Sequence, residues 1–278
     1  MLIDFRVRPP YKTNLTTSLY NKPAPSPDPT KQSIFLIGKE RVPSAEARSI
    51  ELFMQEMDET ETERAVIMGR KADEYGSVDN DEIDELARAY PGRFIPFAGV
   101  NPNLPGQVEE IERVAAMGFR GVGIDAGWLR RPLYHDDPVF DPIYAKCQEL
   151  GMIVSLTSSF MLGPDLSYSE PCAIQRVAMK YPNMKIVVPH VHAALAVAIR
   201  CPNVYLMPDC YIYIDGFALS DEYIKAANTY LKYRILYASS YPVRSLSQCL
   251  RGWKSRGFTD EALQNTLYDN AARLIGEK

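Results

Sequence analysis

The stretch IDFRVRPP, residues Ile3–Pro10, decides how the rest of the chain is interpreted. Its apolar positions predict a short β-strand that ends at the double proline, because proline cannot donate to a strand ladder. Side chains alternate along a strand, so we expect Asp4, Arg6 and Arg8 to share one face. Two guanidinium groups on one face are costly to bury without partners, and a bound anion is the first candidate partner.

Short apolar runs recur along the chain, and most of them are followed by a helical pattern. This alternation is typical of parallel β-α-β units, and several runs are apolar on both faces, as helix-covered strands should be. Eight such units in 278 residues predict a closed (β/α)8 TIM barrel, as a single domain over residues 1–278. The runs are Leu2–Val7, Ala65–Met68, Phe94–Val100, Gly121–Ile124, Met152–Leu156, Lys185–Pro189, Val204–Met207 and Ile235–Tyr237.

The segment after the first strand breaks this rhythm. It is rich in proline and polar residues and has no clear periodicity. A connection of this length in a compact domain is usually functional or mobile, and it leaves the strand at the end where barrel active sites lie. We therefore expect residues 10–43 to form a cap loop over the pocket, with a surface excursion or a subunit contact as the alternative.

The composition excludes several classes of function. A net charge of −4 gives no bulk electrostatic support for nucleic-acid binding. No apolar run reaches membrane-spanning length and the N-terminus enters a strand directly, so we expect no membrane partner and no signal peptide. Five widely spread cysteines without a CxxC motif favour a reducing cytoplasm over a disulfide framework. We also expect a homo-oligomer that acts on a small anionic substrate.

Four segments resemble a known family, the amidohydrolase superfamily, and in particular its amidohydrolase-related branch of decarboxylases, lactonases and other small-carboxylate hydrolases. The opening strand is similar to the family's first strand, normally Asp-x-His-x-His. KIVVPH (185–190) resembles the strand that carries a late histidine, and RILYASSYP (234–242) resembles the last strand, normally ending Gly-Ser-Asp-Tyr-Pro. NAARLI (270–275) resembles the closing helix. The resemblance spans nearly the whole chain and implies the same barrel.

The departures from the family occur at its metal ligands. Arg6 and Arg8 replace both first-strand histidines, the fifth-strand histidine is absent, and Ser240 replaces the last-strand aspartate, while His190 keeps its type. A guanidinium group has no free lone pair and places positive charge where a cation should lie. We therefore predict that the protein uses neither a metal nor another cofactor.

One alternative keeps a metal at a relocated site. His190 and His192 are two residues apart and would share a strand face, and Asp125 or Asp209 could join them. The chain has three histidines, and the third, His135, is predicted in a loop. Spacing alone does not show the convergent ligands that a metal site needs.

Without a metal, arginine can take over part of its work. We predict that Arg6, Arg8 and Arg70 form a carboxylate clamp, because guanidinium groups hold carboxylates and stabilise developing negative charge. The alternative is that they pair with nearby aspartates and only tie the barrel together.

The candidate catalytic residues are His190, as general acid or base, with Asp209 and Asp125. The aspartates could orient His190, hold an arginine or act as base. The alternative for His190 is a histidine that only packs at a strand end, and the alternative for each aspartate is an ordinary arginine partner. The remaining candidates are residues that could hydrogen-bond a substrate. They are Thr157, Ser158, Tyr211, Ser240 and Tyr241.

These features predict a metal-independent hydrolase, lactonase-like, that acts on a small carboxylate-bearing lactone or a sugar or aromatic acid derivative. Two alternatives stay open. One is a metal-dependent decarboxylase or hydrolase with rearranged ligands, and the other is an anion-binding barrel without catalysis. The fold alone cannot separate them.

Overall fold

The computed structural model describes residues 1–21, 27–28, 30, 38–157, 165–190, 194–213 and 220–277, with backbone only at Cys210 and Tyr211. Seven strands form one curled sheet in chain order, and every neighbouring pair is parallel. They are β1 Leu2–Val7, β2 Thr62–Met68, β3 Phe94–Val100, β4 Gly121–Ile124, β5 Ile153–Leu156, β6 Ile186–Pro189 and β7 Val204–Met207.

Residues 234–241, the closing segment, join the last strand to the first. On one side Leu206 and Leu236 are linked through a backbone hydrogen bond of 2.9 Å. On the other side the Phe5 N–H donates to the Tyr237 carbonyl at 3.0 Å. These bonds close the sheet, and the predicted (β/α)8 barrel is confirmed.

The closing segment, which contains the eighth predicted run Ile235–Tyr237, forms isolated bridges rather than a continuous strand. Ile235 bridges to β7 and Tyr241 bridges to Val7 of β1. Between them the Ser239 N–H donates to the carboxylate of Asp4 at 3.0 Å, in place of a ladder carbonyl. A side-chain bond therefore interrupts the ladder at the point where the barrel closes.

Helices lie between successive strands and cover the outside of the sheet. Two buried apolar clusters result, one inside the barrel around Ile3, Phe5 and Phe97, the other between strands and helices. In the part of the chain that the structure describes, no helix is long and apolar enough to cross a membrane. The helices are α1 Pro43–Glu46, α2 Ile50–Glu59, α3 Asn80–Ala89, α4 Gln107–Ala116, α5 Asp141–Glu149, α6 Pro171–Lys180, α7 Ala194–Arg200, α8 Ser220–Asn228, α9 Leu246–Lys254, α10 Asp260–Gln264 and α11 Asn270–Ile275.

The start of the predicted cap loop packs against the barrel rim. A 3-10 helix, Lys12–Thr16, is held to α3 by Thr13, whose N–H donates to the Glu82 carboxylate at 2.9 Å. The Tyr20 hydroxyl then donates to the Arg8 carbonyl at 2.6 Å. Much of the stretch from 22 to 37 lies outside the described residues, so the cap stays a prediction.

Candidate active site

The first strand, which contains Arg6 and directly precedes Arg8, is irregular. The ladder to β2 shifts register between Asp4 and Val7, and such a bulge breaks the strict alternation of side chains. The expectation that Asp4 shares a face with Arg6 and Arg8 is therefore wrong. The Asp4 carboxylate instead accepts the N–H groups of Arg6, at 3.1 Å, and Ser239.

Three arginines lie buried near the ends of β1 and β2. Arg6, Arg8 and Arg70 are each at most 3% exposed. Burial, and then the charges of Arg6 and Arg70, hold the pKa of Arg8 well below its ordinary value. Among the described residues, Nε and Nη2 of Arg8 have no hydrogen-bond partner. Arg8 is thus a buried cation with unused donors, an arrangement that a bound anion would relieve.

Asp125 follows β4 and supports the third arginine. Its Oδ2 lies 3.4 Å from Nε of Arg70, whose guanidinium carbon is 4.9 Å from the centre of the Trp128 ring. Burial would raise the pKa of Asp125, but Arg70 and Arg8 hold it below its usual range. The ion pair that sequence reasoning gave as the alternative for Arg70 is therefore present, and it fixes the guanidinium plane against an aromatic face.

A second carboxylate, Asp209 after β7, connects three elements. Its Oδ2 lies 3.0 Å from Nδ1 of His190, accepts the Ser240 hydroxyl at 2.5 Å and is 3.9 Å from Nε of Arg6. His190, Asp209 and Ser240 all have positive φ, at 70, 44 and 53°. Non-glycine residues adopt this conformation at a cost of about 1–3 kcal/mol each, and such strain concentrates at functional sites.

The electrostatics around Asp209 keep its carboxylate charged and His190 neutral. Burial alone would raise the pKa of Asp209, but His190, Arg6 and the Ser240 hydroxyl hold it below the usual range. Burial lowers the pKa of His190, against the pull of Asp209. The His190 side chain is 14% exposed and Asp209 is fully buried, so the imidazole is the member of the pair that a ligand can reach.

The remaining predicted residues are placed differently. Thr157 is buried at the end of β5. The Tyr241 hydroxyl lies 2.7 Å from the Ser44 hydroxyl, and its ring packs on Phe53 at 4.6 Å, which directs it toward α1 and α2 rather than the pocket. Ser158, His192 and the Tyr211 side chain lie outside the described residues.

Sequence reasoning missed one buried histidine beside this site. His135 is fully buried, and burial lowers its pKa to about 4 despite the nearby Thr157 backbone and Asp125. Its carbonyl accepts the Tyr144 hydroxyl at 2.8 Å. The sequence around it indicates only a loop, and its burial depends on how that loop folds between β4 and β5.

The residues at the family's metal positions do not fit a divalent cation. Arg6 and Arg8 occupy the positions where the family resemblance implies two imidazole ligands, and their charges repel a cation. The Ser240 hydroxyl donates its hydrogen bond to Asp209. Within the described ranges, no group of three histidine, cysteine, aspartate or glutamate residues converges on one point. The donor set therefore favours an anion over a metal at these strand ends.

Comparison with known proteins agrees with the architecture. A family model described as amidohydrolase matches residues 19–276. An uncharacterised TIM-barrel protein, Bb4693 of Bordetella bronchiseptica, is 31% identical and superposes with a TM-score of 0.89 over 99% of this chain and 98% of that one. No curated protein matches the chain.

More distant solved structures share the fold. The manganese-bound 5-carboxyvanillate decarboxylase LigW2 of Novosphingobium aromaticivorans is 16% identical, with a TM-score of 0.69 over 99% of this chain and 97% of that one. A probable 2-pyrone-4,6-dicarboxylic acid hydrolase of Acinetobacter baumannii is 14% identical, with a TM-score of 0.65 over 99% of each chain. With the family model matching most of its length, this chain belongs to the amidohydrolase family.

Proposed function

We propose that the protein is a metal-independent hydrolase that opens a small lactone, or a related ester of a sugar or aromatic acid, bearing one carboxylate. The observation that carries the proposal is Arg8, a fully enclosed guanidinium whose Nε and Nη2 lack hydrogen-bond partners among the described residues. A carboxylate accepts such donors in pairs, with charged hydrogen bonds of about 1.5–3 kcal/mol each.

The charges around the pocket favour a single negative charge on the ligand. Three arginines face two ionised carboxylates, Asp125 and Asp209, while His190 is neutral. Among these five charged groups one positive charge remains in a buried setting, where an unbalanced charge is costly. A monocarboxylate balances it, and a dicarboxylate would bring one negative charge too many.

The chemistry would be hydrolysis assisted by a general base. His190 holds Nδ1 3.0 Å from the Asp209 carboxylate, and in the proposed reaction its Nε2 takes a proton from water. The water oxygen forms a bond to the carbonyl carbon, and a guanidinium stabilises the resulting oxyanion. The ring C–O bond then breaks, and the proton passes from the imidazolium to the leaving alkoxide.

Decarboxylation is the second candidate, because several solved structures that share the fold carry that activity in their names. Loss of carbon dioxide removes the charge that an arginine clamp binds. Clamping a carboxylate therefore stabilises the ground state more than the transition state. The clamp would slow the loss of that carboxylate as carbon dioxide. Hydrolysis at a neighbouring carbonyl gains from the same cations, because negative charge grows there.

The proposal can be tested by thermal unfolding with panels of monocarboxylates, dicarboxylates and neutral lactones, with and without a chelator. Ligand binding raises the midpoint by mass action, so we expect carboxylated lactones to shift it and to be opened, independently of chelator. Arg8→Met should abolish the shift. Equal shifts by neutral lactones, turnover that the chelator abolishes, or carbon dioxide as product would each refute the proposal, and binding without turnover would indicate a non-catalytic barrel.

A further inference from the structure

The buried carboxylate of Asp4 lies outside the arginine cluster but holds two of the backbones that carry the site. Its Oδ1 accepts the N–H of Arg6 at 3.1 Å and that of Ser239 at 3.0 Å. Arg6 belongs to β1 and Ser239 to the closing segment, so one oxygen ties together the two edges that meet where the barrel closes. The ladder is interrupted at this point, and the carboxylate replaces the missing carbonyl.

Both backbones carry side chains that reach the Asp209 carboxylate. The Arg6 side chain reaches Asp209 from one edge, at 3.9 Å. Ser240, which follows Ser239, reaches the same carboxylate oxygen from the other edge, at 2.5 Å. A shift of either edge would separate these contacts, and their geometry depends on the register that Asp4 sets.

We propose that Asp4 is a positioning residue that locks the Arg6 edge and the Ser240 edge in register, and that its protonation state tunes this lock. Asp4 is fully buried, and its Oδ2 has no hydrogen-bond partner among the described residues. An ionised carboxylate with one unpartnered oxygen is unstable in such a place, whereas a protonated one is tolerated.

Hydrogen bonds from Ser239 and from the Arg6 N–H offset the burial of the Asp4 charge only in part. The groups that face Asp4 come from the 3-10 helix Asp209–Tyr213, the closing segment and α9, and their titratable members are Asp209, Tyr213, Tyr237 and Cys249. Burial holds the pKa values of both tyrosines and the thiol well above normal, so they stay neutral. Asp209 is negative and repels a second charge. Burial, more than this repulsion, raises the pKa of Asp4 to about 7.

The structural role can be tested without knowing the substrate. Amide signals of Arg6 and Ser239 are followed by NMR in the native chain and in Asp4→Asn, from about pH 5 to about pH 9. We expect both signals to shift together with one midpoint near 7, and to stay fixed in Asp4→Asn. Ser167, whose N–H donates to Asp165 at 2.7 Å, is the internal control and should titrate below the usual aspartate range. Separate midpoints, no shift, or a shift that persists in Asp4→Asn would overturn the proposal.

A second variant tests the lock itself. Asp4→Ala removes both bonds, whereas Asp4→Asn keeps an oxygen acceptor. Hydrogen exchange at Arg6 and Ser239 should become at least about tenfold faster in Asp4→Ala and stay near native in Asp4→Asn. The Gly99 amide, which donates to the Asn80 side chain at 2.8 Å, should not change in either. Unchanged exchange in Asp4→Ala refutes the lock, and if that variant does not fold, the Asp4→Asn titration decides.

The consequence for ligand binding rests on the proposed function, and the two can fail separately. With benzoate as the probe, calorimetry should show about tenfold weaker binding in Asp4→Ala than in Asp4→Asn. Absence of benzoate binding in the native chain, together with the expected titration, would reject the clamp and leave the positioning role standing. Equal affinities of Asp4→Ala and Asp4→Asn for benzoate would show that Asp4 does not position the residues that bind the carboxylate.

Discussion

At the scale of single residues, Arg8 has opposite effects on binding and on stability. Its guanidinium is buried beside two other arginines, and burial depresses its pKa. Replacing a buried charge by an apolar side chain of similar volume is often neutral or stabilising, by about 1–4 kcal/mol. We expect Arg8→Met to raise the unfolding midpoint while carboxylate binding is lost, as measured by thermal unfolding and calorimetry.

A matched control is available on the surface. Arg113 is 44% exposed and pairs with Glu110 and Asp81, so Arg113→Met should change the free energy of unfolding by at most about 1 kcal/mol and leave binding intact. If Arg8→Met is less stable than the native chain, then Arg8 is compensated by the protein itself, and the clamp loses its main support.

The pair of His190 and Asp209 gives a pH prediction. His190 acts as a base only when neutral, so turnover should fall as the pH drops through its pKa, which burial places below the ordinary histidine value. Asp209 raises that pKa, so Asp209→Asn should move the acid limb to still lower pH while reducing kcat. The measurement is kcat/KM against pH for both proteins. An acid limb that moves upward in Asp209→Asn would contradict the assignment of His190 as base.

The sequence indicated which polar residues lie at the candidate site, but it did not indicate which side chains they contact. Polar residues after apolar runs indicated Arg6, Asp125, His190 and Asp209, and the barrel brings them to one end, while their chemical roles stay predictions. Tyr241 follows the same pattern and yet turns toward Ser44, because the closing segment bends at Ser240. Only the tertiary fold determines such a turn.

At the scale of elements, close contact between β2 and β3 is essential for the position of Arg70. Gly69 directly follows β2, and a Cβ there would lie 2.2 Å from the Gly99 nitrogen of the neighbouring backbone. Gly69→Ala must push the strands apart, and we expect a loss of about 3 kcal/mol or more with weakened carboxylate binding. Urea unfolding and calorimetry measure the two effects.

Gly252 in α9 is the matched control for this change. A Cβ there meets the side chain of Tyr213 at 3.1 Å, which can move, and alanine favours a helix by about 1 kcal/mol. Gly252→Ala should therefore be close to neutral. Equal stability of the two variants would show that β2 and β3 tolerate separation.

Apolar runs located the strands within a few residues, because covered parallel strands are apolar on both faces. The bulge in β1 was not visible in the same pattern. It begins at Asp4, whose carboxylate accepts the N–H of Ser239, a residue far away in the chain.

At the scale of the whole molecule, two buried groups oppose each other in the pH dependence of stability. The pKa of Asp4 is raised from 3.8 to about 7, so its contribution to stability is lost as the pH rises through that window. The pKa of His135 is lowered from 6.5 to about 4, so its contribution is lost as the pH falls through nearly the same window.

We therefore expect these contributions to cancel between about pH 4 and about pH 6.5 in the native chain. Asp4→Asn should make the free energy of unfolding increase with pH across this range, and His135→Gln should make it decrease. Urea unfolding at a series of pH values measures the slopes. Identical slopes in the native chain and in Asp4→Asn would show that Asp4 titrates normally.

The purified protein should also lack a stoichiometric divalent metal. The positions that the family resemblance assigns to metal ligands hold Arg6 and Arg8, whose guanidinium groups repel cations. Elemental analysis should therefore find well under one equivalent of zinc or manganese. A chelator should leave the unfolding midpoint unchanged. One tightly held equivalent per chain would contradict the interpretation of the arginines and support a relocated metal site.

The barrel itself was predictable from the sequence because eight apolar runs in this length leave few other topologies. The family resemblance showed where this chain departs from its relatives, since the resemblance implies metal ligands at the positions that differ. Substrate identity depends on the shape of the pocket, and part of its rim lies outside the described residues.

The left-handed backbone at His190, Asp209 and Ser240 has an evolutionary consequence. Glycine would adopt each of these conformations without the penalty that a side chain incurs, and asparagine would adopt them more readily than most residues. Random drift away from the native residues would therefore relieve backbone strain while destroying the hydrogen-bonded group around Asp209. A lineage that no longer needed the activity would lose these three residues early, so their joint presence in a homologue is a marker of retained function.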